Sequence, residues 1–240
     1  PGYNSNKEYP VVYLFHGHGA DQTQWLEGFQ GKAMLDMMID YEEIPPLIVV
    51  CPQMDASYGL NSDTINRRKL AVEGDLYIDV GLYEDYLFKE VFPTIEGKYA
   101  ISKDPAKRSI GGFSMGGHIA LRLGFSHPDL FGKIGAHAAP IKTETVNFDG
   151  FIKDTLYPTD ALRKQRDPYL MVDNIDLANT SVYLDIGMQD TQHHIEGVEA
   201  LHRKLLAKNI ATQLSLPDGG HDGNYIASQF VNYFRFYGEQ

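Results

Sequence analysis

A single cysteine, Cys51, stands in a chain of 240 residues, so no disulfide can form within it. It closes the apolar run Leu47 to Val50 and reads as a buried structural thiol. No uninterrupted apolar stretch approaches the roughly 18 residues that a membrane-crossing helix needs. Positive charge is also scarce. Lys and Arg total 21 against 32 Asp and Glu, a net charge of −11. That balance repels polyanions and anionic lipid surfaces, and argues against nucleic acid or membrane as partners. Repeats, low-complexity tracts and interdomain linkers are missing, and the length suits one domain spanning residues 1–240. The chain starts at Pro1 rather than at a methionine, so a trimmed start is expected.

What is present is an alternation of short apolar runs with helical patterns. It predicts an α/β fold, a mostly parallel sheet with helices on both faces. Strands are expected at Val11–Phe15, Leu47–Cys51, Arg108–Gly112, Lys133–Ala138, Val182–Ile186 and Thr212–Leu216. Helices are expected at Lys32–Asp40, Ile119–Phe125, Glu196–Lys208 and Tyr225–Tyr237. Val80, Tyr83, Leu87, Val91 and Ile95 fall at helical spacing, predicting a helix over Asp79–Tyr99 that Pro93 should kink or shorten. Two stretches break the alternation. Gln53–Asp75 is polar and reads as a long loop. Ile141–Asp176, with Pro158 and Pro168, reads as a lid or substrate-pocket insertion.

The chemistry concentrates at Gly112-Phe113-Ser114-Met115-Gly116, set between a strand pattern and a helix pattern. A serine on a tight strand-to-helix turn projects its hydroxyl outward, and the flanking glycines avoid a Cβ clash. The unpaired N–H groups that open the next helix point toward an oxyanion formed there. Such a nucleophile needs a base and an orienting carboxylate, in the chain order serine, acid, histidine. His221 lies in the glycine-rich run Pro217–Gly223, just after a predicted strand, and Asp190 follows the preceding strand. Asp185 is a rival acid but sits inside a strand, where its side chain would face a sheet surface. Asp222 adjoins His221 and is poorly placed to reach its neighbour's ring. The second oxyanion donor is expected from Phe15-His16-Gly17-His18-Gly19, with the N–H of His18 meeting that of Met115. His16 and His18 could be read as a metal-binding pair, but no third ligand stands at a supporting spacing. His193 and His194 read as solvated neighbours of Asp190. Gly17, Trp25, Tyr58 and Asn61 are candidate substrate contacts, with Trp25 open to a core reading and Ser62 beside Asn61 on the polar loop.

The run Tyr13–Gly19, Trp25, Gly112–Gly117, Gly187-x-x-Asp190 and Gly219-Gly220-His221-Asp222 resemble the esterase D-like branch of the α/β-hydrolases. That branch includes feruloyl and acetylxylan esterases, tributyrin esterases and S-formylglutathione hydrolases. Pro1-Gly2-Tyr3 and the strand after Tyr9 look most like feruloyl esterase modules attached to xylanases. The resemblance covers nearly the whole chain. It implies Ser114 as nucleophile, His221 as base, Asp190 as its orienter, and oxyanion donors at His18 and Met115. It implies a serine carboxylesterase acting on short acyl or feruloyl-type esters, without metal or organic cofactor, and favours a secreted over a cytoplasmic setting without fixing the compartment. Acyl transfer by the same triad, thioesterase action on S-formylglutathione, and an inactive binding module are the alternatives. The chain departs from the family pattern after Gly219-Gly220-His221-Asp222, where the usual aromatic is replaced by Gly223.

Overall fold

Val11–Phe15 and Arg108–Phe113 are buried at every position, as strands covered on both faces must be. The computed structural model describes residues 2–62, 69–141, 150–191 and 195–239. In chain order its elements are β1 (Val11–Phe15), α1 (Gly31–Asp40), β2 (Ile48–Val50), β3 (Lys69–Glu73), β4 (Leu76–Val80), α2 (Tyr83–Tyr86) and α3 (Phe92–Lys98). There follow β5 (Arg108–Phe113), α4 (Met115–Ser126), β6 (Lys133–His137), α5 (Gly150–Leu156), α6 (Asp160–Arg166) and α7 (Pro168–Met171). The chain closes with β7 (Ser181–Asp185), α8 (Ile195–Ala207), β8 (Ala211–Ser215) and α9 (Gly223–Gly238).

Six strands form one parallel sheet in the order β2-β1-β5-β6-β7-β8. The chain first steps outward from β1 to β2 and then crosses back to place β5 on the other side of β1. A reversal of this kind opens a crevice at the carboxyl ends of β1 and β5, where ligands of open α/β sheets bind. The two faces can be assigned from side-chain alternation. A Cβ on Gly111 would strike Tyr237 of α9, and one on Gly112 would strike Gly116 of α4. Successive strand residues point to opposite faces, so α4 and α9 cover opposite sides of the sheet.

The expected strands and most helices stand within a residue or two of their predicted ends. Four expectations are corrected. The helix predicted over Asp79–Tyr99 begins only at Tyr83, because Asp79 and Val80 belong to β4, antiparallel to β3. The stretch Gln53–Asp75 is therefore not all loop. Among the described residues, Ile141–Asp176, which breaks the alternation in sequence, carries the short helices α5 to α7. Pro93 neither ends nor interrupts its helix. A widened π turn at Leu87–Val91 joins α2 to α3, and Pro93 sits in the first turn of α3. The wider turn gives room where the proline ring would crowd a preceding carbonyl.

Candidate active site

Ser114 occupies the turn between β5 and α4 with φ 54° and ψ −119°, a backbone state that non-glycine residues rarely adopt. The turn is tight enough that the glycines two residues away on either side have no room for side chains. A Cβ on Gly112 would overlap the Gly116 backbone, and one on Gly116 would overlap the Phe15 carbonyl. The Ser114 N–H is held by the His137 carbonyl at 2.8 Å. The result aims Oγ out of the carboxyl edge of the sheet.

His221 reaches that hydroxyl. The Ser114 O–H donates to His221 Nε2 at 2.9 Å, and His221 Nδ1–H donates to Asp190 Oδ2 at 2.7 Å. The imidazole side chain is 9% exposed and the carboxylate fully buried, so the chain of bonds is shielded except at its serine end. Asp190 and His221 lie on neighbouring loops that are stitched together. Gln189 N–H donates to the Gly219 carbonyl at 2.9 Å, its side-chain amide donates to Asp218 Oδ1 at 3.2 Å, and its Oε1 accepts from Gly219 N–H. The two other carboxylates are committed elsewhere. Asp222 caps α9, accepting from the N–H groups of Asn224 at 2.9 Å and Tyr225 at 3.0 Å. Asp185 lies buried beside His137.

The loop after β1 runs past the serine. A Cβ on Gly17 would stand 3.6 Å from the Ser114 Cβ. Gly17 N–H is taken by Gln24 Oε1 at 2.8 Å. The N–H groups of His18 and Met115 carry no hydrogen bond among the described residues. His16 fixes this loop from beneath. It is buried, its Nδ1–H donates to the Gly17 carbonyl at 2.9 Å, and its Nε2 accepts from Met54 N–H at 2.9 Å. Burial lowers the His16 pKa, in keeping with this neutral, doubly bonded ring. The His18 ring Nε2–H donates to the Tyr77 carbonyl of β4 at 2.8 Å. Among the described residues, no group of histidine, cysteine and carboxylate side chains is arranged to hold a metal.

Two predicted substrate contacts are placed elsewhere. Trp25 is 1% exposed, and its indole N–H donates to the Phe15 carbonyl at 2.8 Å among Phe29, His137, Phe230 and Tyr233. Its large apolar ring is worth more in the core than at a wet cleft. Tyr58 is likewise buried, edge-on to His118. Asn61 pairs with Asp85 and, with Ser62 and Arg166, lines a cavity of about 630 Å³ in which none of Ser114, Asp190 and His221 takes part. His193 and His194 fall outside the described residues. Cys51 is half-buried, with its thiol pushed up to about 12 by burial.

Sequence reasoning passes over His118, one turn behind Ser114. The ring is fully buried. Its Nδ1–H donates to the Pro140 carbonyl at 3.0 Å, and its Nε2 accepts the Tyr157 hydroxyl at 2.8 Å. Burial holds its pKa down at about 4, against 6.5 for a free histidine. An unfolded chain therefore binds a proton here that the folded chain refuses, between those two values. Stability from this group is complete above about pH 6.5 and is lost as the pH falls toward 4. Melting temperatures at pH 7 and pH 4.5 should differ more for wild type than for His118→Asn, which keeps an N–H donor but cannot titrate. Equal differences would show that His118 carries none of the acid sensitivity.

A strained serine elbow at the switch point of a parallel sheet, joined to a histidine and a buried aspartate, defines an α/β-hydrolase. The family model described as "Putative esterase" matches residues 1–237, and the chain belongs to that family. An endo-1,4-beta-xylanase/feruloyl esterase of Xylanibacter ruminicola is 34% identical over 131 residues, covering 54% of this chain and 16% of the relative's length. The chain thus spans well under two thirds of that protein. A ferulic acid esterase structure superposes with a TM-score of 0.77 at 25% identity, covering 98% of this chain and 87% of that one. An S-formylglutathione hydrolase of Staphylococcus aureus shares the fold, with a TM-score of 0.71 at 18% identity over 98% of this chain and 87% of that one. The expected kinship with feruloyl esterases joined to xylanases is borne out.

Proposed function

We propose that the chain hydrolyses carboxylic esters through an acyl-enzyme on Ser114. The observation that carries this reading is the unbroken series Asp190–His221–Ser114 at 2.7 and 2.9 Å. His221 Nε2 takes the hydroxyl proton as Oγ attacks the ester carbonyl. Asp190 holds Nδ1–H and stabilises the imidazolium that forms. The N–H groups of Met115 and His18 receive the oxyanion, each worth about 3 kcal/mol in the transition state. His221 then gives its proton to the departing alcohol. Water, deprotonated by the same nitrogen, releases the acid and restores the serine.

Short acyl and hydroxycinnamoyl esters, including those on plant cell-wall polysaccharide, are the proposed substrates. Kinship to a xylanase/feruloyl esterase and to a ferulic acid esterase supports this class. A panel of p-nitrophenyl acetate, p-nitrophenyl octanoate, methyl ferulate and S-formylglutathione tests it. Methyl ferulate or the acetate should be turned over fastest. A preference for S-formylglutathione would move the chain to the thioesterase branch, and inertness toward all four would remove the reading.

A further inference from the structure

Directly beneath the site lies a second carboxylate–imidazole–hydroxyl series. His137 and Asp185 end β6 and β7 and are paired in register, so their side chains sit side by side on the face covered by α9. Both are 0% exposed. His137 Nδ1–H donates to Asp185 Oδ1 at 2.6 Å, and the Tyr237 hydroxyl meets Nε2 at 2.8 Å. The connectivity repeats that of Asp190, His221 and Ser114. No substrate reaches it, and its use must lie in what it holds.

The fold gives up packing to seat it. A Cβ on Gly111 or on Gly135 would overlap the Tyr237 hydroxyl, so two central strands carry glycine where a side chain would stabilise them. The remaining oxygen, Asp185 Oδ2, accepts the hydroxyls of Tyr225 and of Tyr233, the latter at 2.6 Å. Burial raises the pKa of Tyr225, Tyr233 and Tyr237 and keeps all three as donors. A buried carboxylate with this many donors satisfies its lone pairs without solvent.

Two of the contacts lead to the reacting groups. The His137 carbonyl holds the Ser114 N–H at 2.8 Å, at the bend of the elbow. Tyr225 lies in the first turn of α9, just after His221, and its ring lies against the loop that carries the histidine. A Cβ on Gly219, where φ is 141°, would stand 2.5 Å from the Tyr225 ring. Tyr233 sits two turns further along α9 and packs on His137 with centroids 3.7 Å apart. It anchors the body of the helix rather than the loop.

We propose that Asp185 is a positioning residue for the hydrolase. Through His137 it fixes the Ser114 elbow, and through Tyr225 it fixes the His221 loop, so the nucleophile and its base keep one separation. This rests on the ester-hydrolase reading above. Displacement of a base by an ångström costs rate far more than it costs substrate affinity.

Tyr225 and Tyr233 donate to the same oxygen, so Tyr225→Phe and Tyr233→Phe form a matched pair. Each is made in the full chain and assayed for kcat, KM and thermal melting with p-nitrophenyl acetate. Both should melt below wild type. Tyr225→Phe should lower kcat about 10-fold with KM within about twofold, and Tyr233→Phe should keep kcat within about twofold. Asp185→Asn should lose about 100-fold in kcat. Should that variant fail to fold, the phenylalanine pair still decides. Equal kcat in the two phenylalanine variants, whether lowered or unchanged, overturns the inference while wild type retains activity that Ser114→Ala abolishes. A wild type without such activity removes the hydrolase reading, and this inference with it.

Discussion

Ser114→Ala should lose about 10⁴-fold or more of the ester-hydrolysis rate and remain folded. Only the hydroxyl group is removed. Its bond to His221 is part-buried, and no other side-chain bond of Ser114 is recorded among the described residues. Residual rate would come from the oxyanion donors and from substrate binding alone. A sharper form of the same experiment uses the strain at the elbow. Ser114 holds φ 54° and ψ −119°, which costs a non-glycine residue about 1–3 kcal/mol. Ser114→Gly should be as inactive as the alanine variant, yet melt about 2–4 °C higher for each kcal/mol of strain released. Loss of activity coupled to a gain in stability is the mark of a residue kept in its conformation for chemistry. If Ser114→Gly melted lower than Ser114→Ala, the strain would not be there to release. If either variant retained wild-type rates, the nucleophile would lie elsewhere.

The parallel sheet is legible in the sequence because its strands are buried on both faces. Val11–Phe15 is a short continuous apolar run, and such runs bounded by turns have few other uses. The hairpin of β3 and β4 is not legible. Asp79 and Val80 lie in phase with Tyr83 and Leu87, so a helical period extends backward over a strand that it does not own. Only the pairing of Val80 with Lys69 breaks the tie, and a long-range partner leaves no local trace. The same limit hides α5 to α7. These are short helices held by contacts such as Tyr157 to His118 and Arg166 to the Asn61 carbonyl, not by their own periodicity.

The site is more legible than the fold around it, since its glycines and polar residues are dictated by geometry. Asp190 is separable from Asp185 and Asp222 by position alone. One rival faces a sheet surface and the other caps a helix, and the structure assigns both those partners. The substrate contacts are less legible. Trp25 lies near the β1 loop in sequence, but a side chain of its size finds its energy in the core. The His137–Asp185 pair had a signal that goes unread without a structure. Gly111 and Gly135 stand inside central strands, where glycine marks close approach by another group.

Gly116→Ala should be among the most damaging single-methyl changes at the described residues. Gly116 is the second residue of α4, and its added Cβ would overlap the Phe15 carbonyl and stand 2.7 Å from the His16 carbonyl. Both obstacles are backbone, so no rotamer change relieves them. Phe15 cannot retreat either. It ends a strand paired with β5, and its carbonyl accepts the Trp25 indole N–H at 2.8 Å. The start of α4 must therefore back away from β1. That movement separates the Met115 N–H from the His18 N–H and lets the elbow relax, so stability and rate fall together. A loss of about 3 kcal/mol or more in stability is expected, with about 100-fold in kcat for the fraction still folded. Gly97→Ala supplies the opposite sign. Gly97 lies in α3 with no atom within 4 Å of an added Cβ, and alanine favours a helix over glycine by up to about 1 kcal/mol. Melting curves for the two variants should fall on either side of wild type. If Gly116→Ala melted and turned over ester as wild type does, the elbow would not lie against β1, and the oxyanion donors would have to be sought on another loop.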